Sequence, residues 1–415
     1  MRVLLLALTV FFLGVFVWAV FEHFLTTDVP ATLQHPAKLR FLHCIFLYLV
    51  TLVSLLSGYV ITSGLLLLFS VAYPLFPLLL PFCLCLFRLP QDRLVSSVSA
   101  VLFPSPSPPF LALPGGCGEM VWVLLMGCCS DCFCLADCYH GLCNYLARET
   151  DSVLLMIGYR KVPDHHSPAL FQDCMNASIH FLKALETYGV DASRVVVCGE
   201  SIGGAVVAAI TQALVGRSDL PRIRAQVLIY PFVQAFCLQL PSFQQNQNVP
   251  LLSRKFLVTS LCNYLAIDLS WRDAIVNGTC VPPDVWRKYE KWLSPDNIPK
   301  KFKNRGYQPW SPGPFNEAAY LEARHMLDVE NSPLIADDEV IAQLPESFLV
   351  SCENDILRDD SLLYKKRLED QGVRVTWYHL EDGFHGSVIF FDKKALSFPC
   401  SLKIVNAVVS YVKGI

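Results

Sequence analysis

Three short stretches of this 415-residue chain carry side chains that could perform acyl-transfer chemistry together. The first is Gly199-Glu200-Ser201-Ile202-Gly203. A serine with glycines two residues to either side suits a tight turn from strand to helix, where a Cβ would clash and the hydroxyl is lifted clear of the sheet. The N-terminus of the helix that follows favours negative charge developing beside it. Chance supplies such a pentapeptide in roughly one chain in ten of this size, so its context decides. A serine hydroxyl also needs a base to take its proton and a third group to orient that base. Asp355, after the apolar run Ser347–Cys352, and His385, within Asp382-Gly-Phe-His-Gly386, follow in the order this kind of turn requires. Each comes just after a run that reads as a strand, at the carboxyl edge where parallel sheets gather their sites. Ser201 is therefore the candidate nucleophile, His385 the candidate base and Asp355 its orienter.

Rival residues have simpler explanations. Asp359 and Asp360 stand at an expected helix start, where capping accounts for them. His379 lies within a strand and reads as structural, and His165 and His166 precede Ser167-Pro168 at a helix entry and read as loop residues. Cys128, Cys129, Cys132 and Cys134 look like a metal cluster. They contain no His and no second C-x2-C at zinc spacing, so no metal is expected.

The elements that must hold these residues alternate. Val153–Ile157, Arg194–Cys198, Arg224–Tyr230, Ser347–Cys352 and Val373–His379 read as buried strands, with Val121–Leu125 before them. Helices are expected over Pro168–Tyr188, Gly203–Val215, Ser361–Asp370 and Cys400–Val412. Alternation of this kind predicts an α/β fold, a mostly parallel sheet with helices on both faces. The stretch from about 236 to 330, rich in Gln, Asn, Pro and Trp, breaks the pattern and reads as an inserted cap. The chain divides into a signal-anchor segment over 1–24, an apolar and partly atypical region over 25–94, and the α/β domain with its cap over 95–415.

Composition explains why the front of the chain needs its own account. The chain is 53% hydrophobic and only 17% charged, with a mean hydropathy of +0.42. A net charge of −3 offers no basic face for nucleic acid, and 12% aromatic content excludes disorder. Val3–Phe21 is an uncharged run between Arg2 and Glu22, and its Leu, Phe and Val residues favour insertion by roughly 4 to 8 kcal/mol. It exceeds the apolar core of a cleaved signal and no A-x-A site follows, so it reads as an uncleaved anchor with its N-terminus in the cytosol. Phe41–Phe87 is also free of Asp, Glu, Lys and Arg, with Pro74, Pro77 and Pro81 breaking its second half. One further crossing there would return the rest of the chain to the cytosol. Ser105–Pro109 reads as an extended linker. Of two glycosylation sequons, Asn277-Gly-Thr is the better candidate, because Asn176-Ala-Ser falls in an expected helix.

Gly199–Gly204, Tyr159-Arg-Lys-Val-Pro-Asp164, Glu353–Asp359 and Asp382–Gly386, in this order, resemble the hormone-sensitive-lipase-like branch of the α/β-hydrolases and, within it, the arylacetamide deacetylase-like proteins. The resemblance covers about residues 10–52 and 137–415. It implies the α/β-hydrolase fold and a type II, single-pass anchor in the endoplasmic reticulum membrane. It also implies a lumenal serine esterase or deacetylase for small lipophilic esters or amides. Neither a cofactor nor a metal is implied, and no obligate protein partner. It assigns Ser201 as nucleophile, His385 as general base, Asp355 as orienter and the backbone N–H of Ile202 as an oxyanion donor. Two departures stand out. Glu200 replaces the Asp usual before the serine. More seriously, the family's His-Gly-Gly-Gly loop, a further source of oxyanion donors, is missing: its expected place is near Gly127-Cys-Cys-Ser130, within a Lys-free block over 53–137. Positive φ is strained for cysteine, and Gly115-Gly116 cannot substitute without displacing the strand. The block reads as a misread or alternative exon between family-like flanks. Two functional readings follow: an active membrane-anchored serine hydrolase, or a catalytically silent protein that keeps the fold.

Overall fold

The computed structural model describes residues 2–62, 99–101, 110–113, 120–125, 135–303 and 305–415. The Cys128–Cys134 cluster, the Ser105–Pro109 stretch and the Gly127–Ser130 position all lie outside these residues.

One eight-stranded sheet organises the chain. Its strands are β1 (Ser99–Val101), β2 (Phe110–Leu113), β3 (Met120–Leu125), β4 (Ser152–Ile157), β5 (Val195–Glu200), β6 (Ala225–Ile229), β7 (Glu346–Asn354) and β8 (Val375–Phe384). They lie side by side in the order β1-β2-β4-β3-β5-β6-β7-β8. β2 is antiparallel to both its neighbours, and every pairing from β4 through β8 is parallel. The chain runs from β3 to β4 on one side, then crosses back to β5 on the other. Connections on either side of that reversal leave a crevice at the carboxyl ends of β3 and β5, the place where open parallel sheets bind ligands.

Side-chain alternation along each strand builds a core on both faces. Val195 and Val197 of β5 pack in the cluster that holds Phe181 of the helix Ala169–Lys183, Val206 of the helix Ile202–Ala213 and Leu362 of the helix Arg358–Asp370. Val196 and Cys198 face the other way, onto Leu142 of the helix Leu135–Glu149 and Ile404 of the helix Pro399–Lys413. Burial on both faces explains why β5 reads as a continuous apolar run rather than an alternating one, and why Gln226, the polar residue within β6, is bonded inside the sheet to Ser347 Oγ at 2.8 Å.

Between β6 and β7 the chain departs from the sheet into short helices. Among them are Pro241–Gln245, Arg254–Leu265, Pro283–Leu293 and Glu317–Ala323. Ser253 starts the second of these, its hydroxyl accepting from the Phe256 N–H at 3.2 Å.

At the front, α1 (Arg2–Thr26) and α2 (Pro36–Thr62) form an antiparallel pair. Phe16 meets Tyr48, and His23 meets His43 nearer the globular domain. α1 buries Val15, Ala19 and His23 and exposes Leu6, Val10, Phe11, Leu13, Val17 and Phe21. Leu6–Thr26, 21 residues, is apolar and long enough to cross a membrane. The turn between the helices is docked on the domain rather than hung from it. Asp28 N–H donates to the Asn248 carbonyl at 3.0 Å, Thr32 Oγ1 to Asn354 Oδ1 at 2.8 Å and Lys38 Nζ to the Ser397 carbonyl at 2.7 Å.

Candidate active site

Ser201 sits at the carboxyl end of β5 with φ +56° and ψ −124°. This region disfavours a side chain and costs of order 1–3 kcal/mol, so the surroundings must hold it. They do so with four backbone hydrogen bonds. Ser201 N–H donates to Ile229 O at 3.0 Å, and Ser201 O accepts from Gly204, Ala205 and Phe232. Two glycines make the turn possible. A Cβ on Gly199 would stand 2.2 Å from the Gly203 carbonyl oxygen, and one on Gly204 would stand 2.7 Å from the Pro231 side chain.

The structure brings the three sequence candidates together. Ser201 Oγ lies 2.8 Å from His385 Nε2, and His385 Nδ1 lies 2.9 Å from Asp355 Oδ2. A carboxylate only accepts, so Nδ1 carries the ring proton and Nε2 is left to receive the serine's. Asp355 Oδ1 takes the Leu357 N–H at 2.8 Å, which fixes the carboxylate plane. Asp355 is buried and His385 nearly so. Burial pulls the imidazole down, but Asp355 and, further off, Glu200 outweigh it, so His385 is raised above 6.5. Ile202 opens the helix after the nucleophile. Its N–H therefore belongs to the first turn, where no intrahelical acceptor is available.

Segments far off in sequence secure the acid loop. Asn246 Nδ2 donates to the Asp355 carbonyl at 2.8 Å and to the Glu353 carbonyl at 3.1 Å. Ser242 Oγ donates to Ile356 O, and its N–H donates to Asp359 Oδ2. Asp359 and Asp360 are thus not caps. Leu357 holds the N-cap position, and both carboxyls are fully buried, Asp359 paired with Arg358 at 2.9 Å. Burial, then the adjacent Asp359, pushes Asp360 well above the carboxylate range. His379 has both ring nitrogens engaged, with Ser351 Oγ at 2.9 Å and Glu353 Oε2 at 3.0 Å. His166 meets the Asn263 carbonyl at 2.7 Å. No sequence signal marked Asn246 or Ser242, because a polar bond spanning more than a hundred residues leaves no periodicity behind. Among the described residues, no group of three or more His, Cys, Asp or Glu is placed to hold a metal ion.

A sheet with this strand order and a serine at the turn after β5, bonded through a histidine to an acid, defines a hydrolase class. The family model described as alpha/beta hydrolase fold matches residues 131–290 and 304–389, and the chain belongs to that family. It is 78% identical over 413 residues to arylacetamide deacetylase-like 4 of Homo sapiens, covering 100% of this chain and 98% of that protein. Neutral cholesterol ester hydrolase 1 of Bos taurus is 36% identical over 286 residues, 66% of this chain and 68% of that one. Among solved structures, carboxyl esterase 2 of Tuber melanosporum superposes with a TM-score of 0.56 at 18% identity, covering 79% of this chain and 92% of that chain. A hyperthermophilic esterase of Pyrobaculum calidifontis gives a TM-score of 0.54 at 20% identity, covering 80% and 87%. These two share the fold.

Proposed function

We propose that the protein is a membrane-anchored serine hydrolase of small lipophilic esters or amides. The observation that carries this reading is the unbroken line from Asp355 through His385 to Ser201. Ser201 Oγ bonds to the substrate carbonyl carbon as its proton passes to His385 Nε2. The Ile202 N–H takes the developing oxyanion, and Asp355 stabilises the imidazolium. Collapse expels an alcohol or amine that leaves with the proton from Nε2, and water repeats the sequence to free the acid and restore the serine. The relatives named for deacetylation of arylacetamides and for hydrolysis of cholesterol esters support a lipophilic acyl substrate.

The exposed apolar surface of α1 supports a membrane anchor, and the burial of Val15, Ala19 and His23 against the rest of the chain supports its retention. The turn from Asp28 to Lys38 is bonded to the same domain that the sheet builds. The domain therefore stays on the side of the membrane that the end of α1 reaches, whatever path joins α2 to the sheet. With Arg2 on the cytosolic side, that side is the lumen of the endoplasmic reticulum.

The absence of His-Gly-Gly anywhere in the sequence favours the silent reading instead, since losing one oxyanion donor costs about 10²–10³ in rate. A fluorophosphonate probe separates the two. Labelling that disappears in Ser201→Ala supports the hydrolase, and no labelling of well-folded protein overturns it in favour of the silent reading.

A further inference from the structure

Glu200, the residue before the nucleophile, has unusual surroundings for a carboxyl group. Strand alternation turns Glu200 away from Ser201's side and onto the face covered by the helix Leu135–Glu149. It is only 3% exposed. Its Oε1 accepts from the hydroxyl of Tyr139, a fully buried residue of that helix. The Tyr230 side chain, also fully buried, faces the same carboxyl, whose Oε2 is buried without a hydrogen-bond partner. Tyr230 in turn accepts the Val388 N–H at 3.3 Å, and its ring lies 4.9 Å from that of His385. Beside Glu200 is a small cavity walled by Cys198, Ile229, Val388 and Ile404.

We infer that Glu200 is a positioning residue: bonded to Tyr139 and packed against Tyr230, whose hydroxyl takes the Val388 N–H, it ties the nucleophile's strand to the loop carrying the general base. The inference rests on the hydrolase reading above. This cluster joins three elements at the back of the site: the helix Leu135–Glu149, the end of β6 and the turn after β8. An Asp would stop about 1.5 Å short of Tyr139, one carbon–carbon bond, so the extra methylene fits the distance this helix sets. A carboxyl against an apolar cavity wall is a poor place for charge. Burial accordingly lifts it above the usual range, against the pull of His385 and the two hydroxyls. The groups facing it are Tyr139, Tyr230, His385, Asp355 and Cys198, none of them a fixed cation. Glu200 therefore acts chiefly by holding geometry, its effect on the imidazole being secondary to that of Asp355.

The full-length protein in detergent is compared with Glu200→Ala, Glu200→Gln and Glu200→Asp, reading fluorophosphonate labelling rate and ester kcat and KM against pH. Glu200→Ala is expected to lose about 10- to 100-fold in labelling rate and kcat with KM within about twofold. The neutral isostere Glu200→Gln is expected to rescue most of that loss, with the acid limb moving slightly to lower pH as the pull on His385 is lost, and Glu200→Asp to fall between. If Glu200→Ala does not fold, Tyr139→Phe, which removes one hydroxyl, is expected to lose several-fold in kcat by the same route. Equal labelling of Glu200→Ala and the unmodified chain overturns the inference alone. So does Glu200→Gln failing as badly as Glu200→Ala, which would make the charge and not the bonded shape of Glu200 the thing that matters. An unmodified chain that takes no label overturns the hydrolase reading and this inference with it.

Discussion

The side-chain amide of Asn246 donates to the main-chain carbonyls of Glu353 and Asp355, at 3.1 and 2.8 Å, so a residue more than a hundred positions earlier grips the loop that carries the triad acid. Both bonds are buried, where an abandoned acceptor costs about 1–3 kcal/mol. Asn246→Ala is expected to destabilise the protein by about that amount and to lower kcat about tenfold with little change in KM, because the acid loosens while the acyl pocket stays. Thermal unfolding and steady-state ester hydrolysis together check this. A stability loss without any fall in kcat would show that the loop holds its shape unaided.

Activity and one component of stability are expected to run in opposite directions with pH. His385 is a base only when neutral, and Asp355 and Glu200 raise it above 6.5 despite burial. The rate kcat/KM should therefore climb with pH along a limb centred above 6.5. The stabilising contribution of charged His385 is fully present below its unfolded value and is lost as pH rises through the raised folded value. The difference in unfolding free energy between the wild type and His385→Gln isolates it from other titrating groups, and this difference should shrink with rising pH over the interval where kcat/KM grows. Asp355→Asn removes the main cause of the rise; it should move the limb to lower pH and cost up to about 10⁴ in kcat.

Gly199→Ala tests the backbone of the elbow. The added methyl would stand 2.2 Å from the Gly203 carbonyl oxygen, a main-chain atom that cannot rotate away. The strand or the start of the helix must shift, at a cost of about 1–3 kcal/mol or more, and the Ser201 hydroxyl moves with it. Labelling by a fluorophosphonate is expected to fall at least tenfold, with unfolding at lower temperature. A variant that labels normally would mean that the turn tolerates a Cβ at this position.

The triad candidates were legible in sequence because each follows a run of buried strand residues and because one order of serine, acid and histidine belongs to this turn. The strands themselves were legible for the same reason: β5 and β6 are buried on both faces and contain little but apolar residues up to the elbow. Legibility failed where polar residues are buried. Asp359 and Asp360 read as caps because an acidic pair at a helix start has that meaning on a surface, but here Ser242 and Arg358 have drawn Asp359 into the interior. Asn246, Ser242 and the Tyr139–Glu200 pair were invisible in sequence. Their partners are set by how segments distant in sequence meet, and residue type and spacing do not encode that.

Glycosylation offers a test of which side of the membrane the domain occupies. Asn277 is exposed at the end of a short helix, followed by Gly278 at φ +60°, with Thr279 half-buried in the same turn, its hydroxyl donating to the Ala274 carbonyl at 3.3 Å. Asn176 is exposed as well, but it lies inside the helix Ala169–Lys183, and the hydroxyl of its sequon partner Ser178 is buried. A turned acceptor segment with an exposed asparagine can open to a transferase more readily than one inside a regular helix whose hydroxyl is packed inward. Under the proposed anchoring, the turn between α1 and α2 is bonded to the domain, so the domain lies on the side where the end of α1 emerges. Expression in cells followed by glycosidase treatment is expected to give one mobility shift, lost in Asn277→Gln and kept in Asn176→Gln. A protein with no shift at all, together with protease accessibility of the domain in intact microsomes, would place it in the cytosol and reverse the orientation of α1.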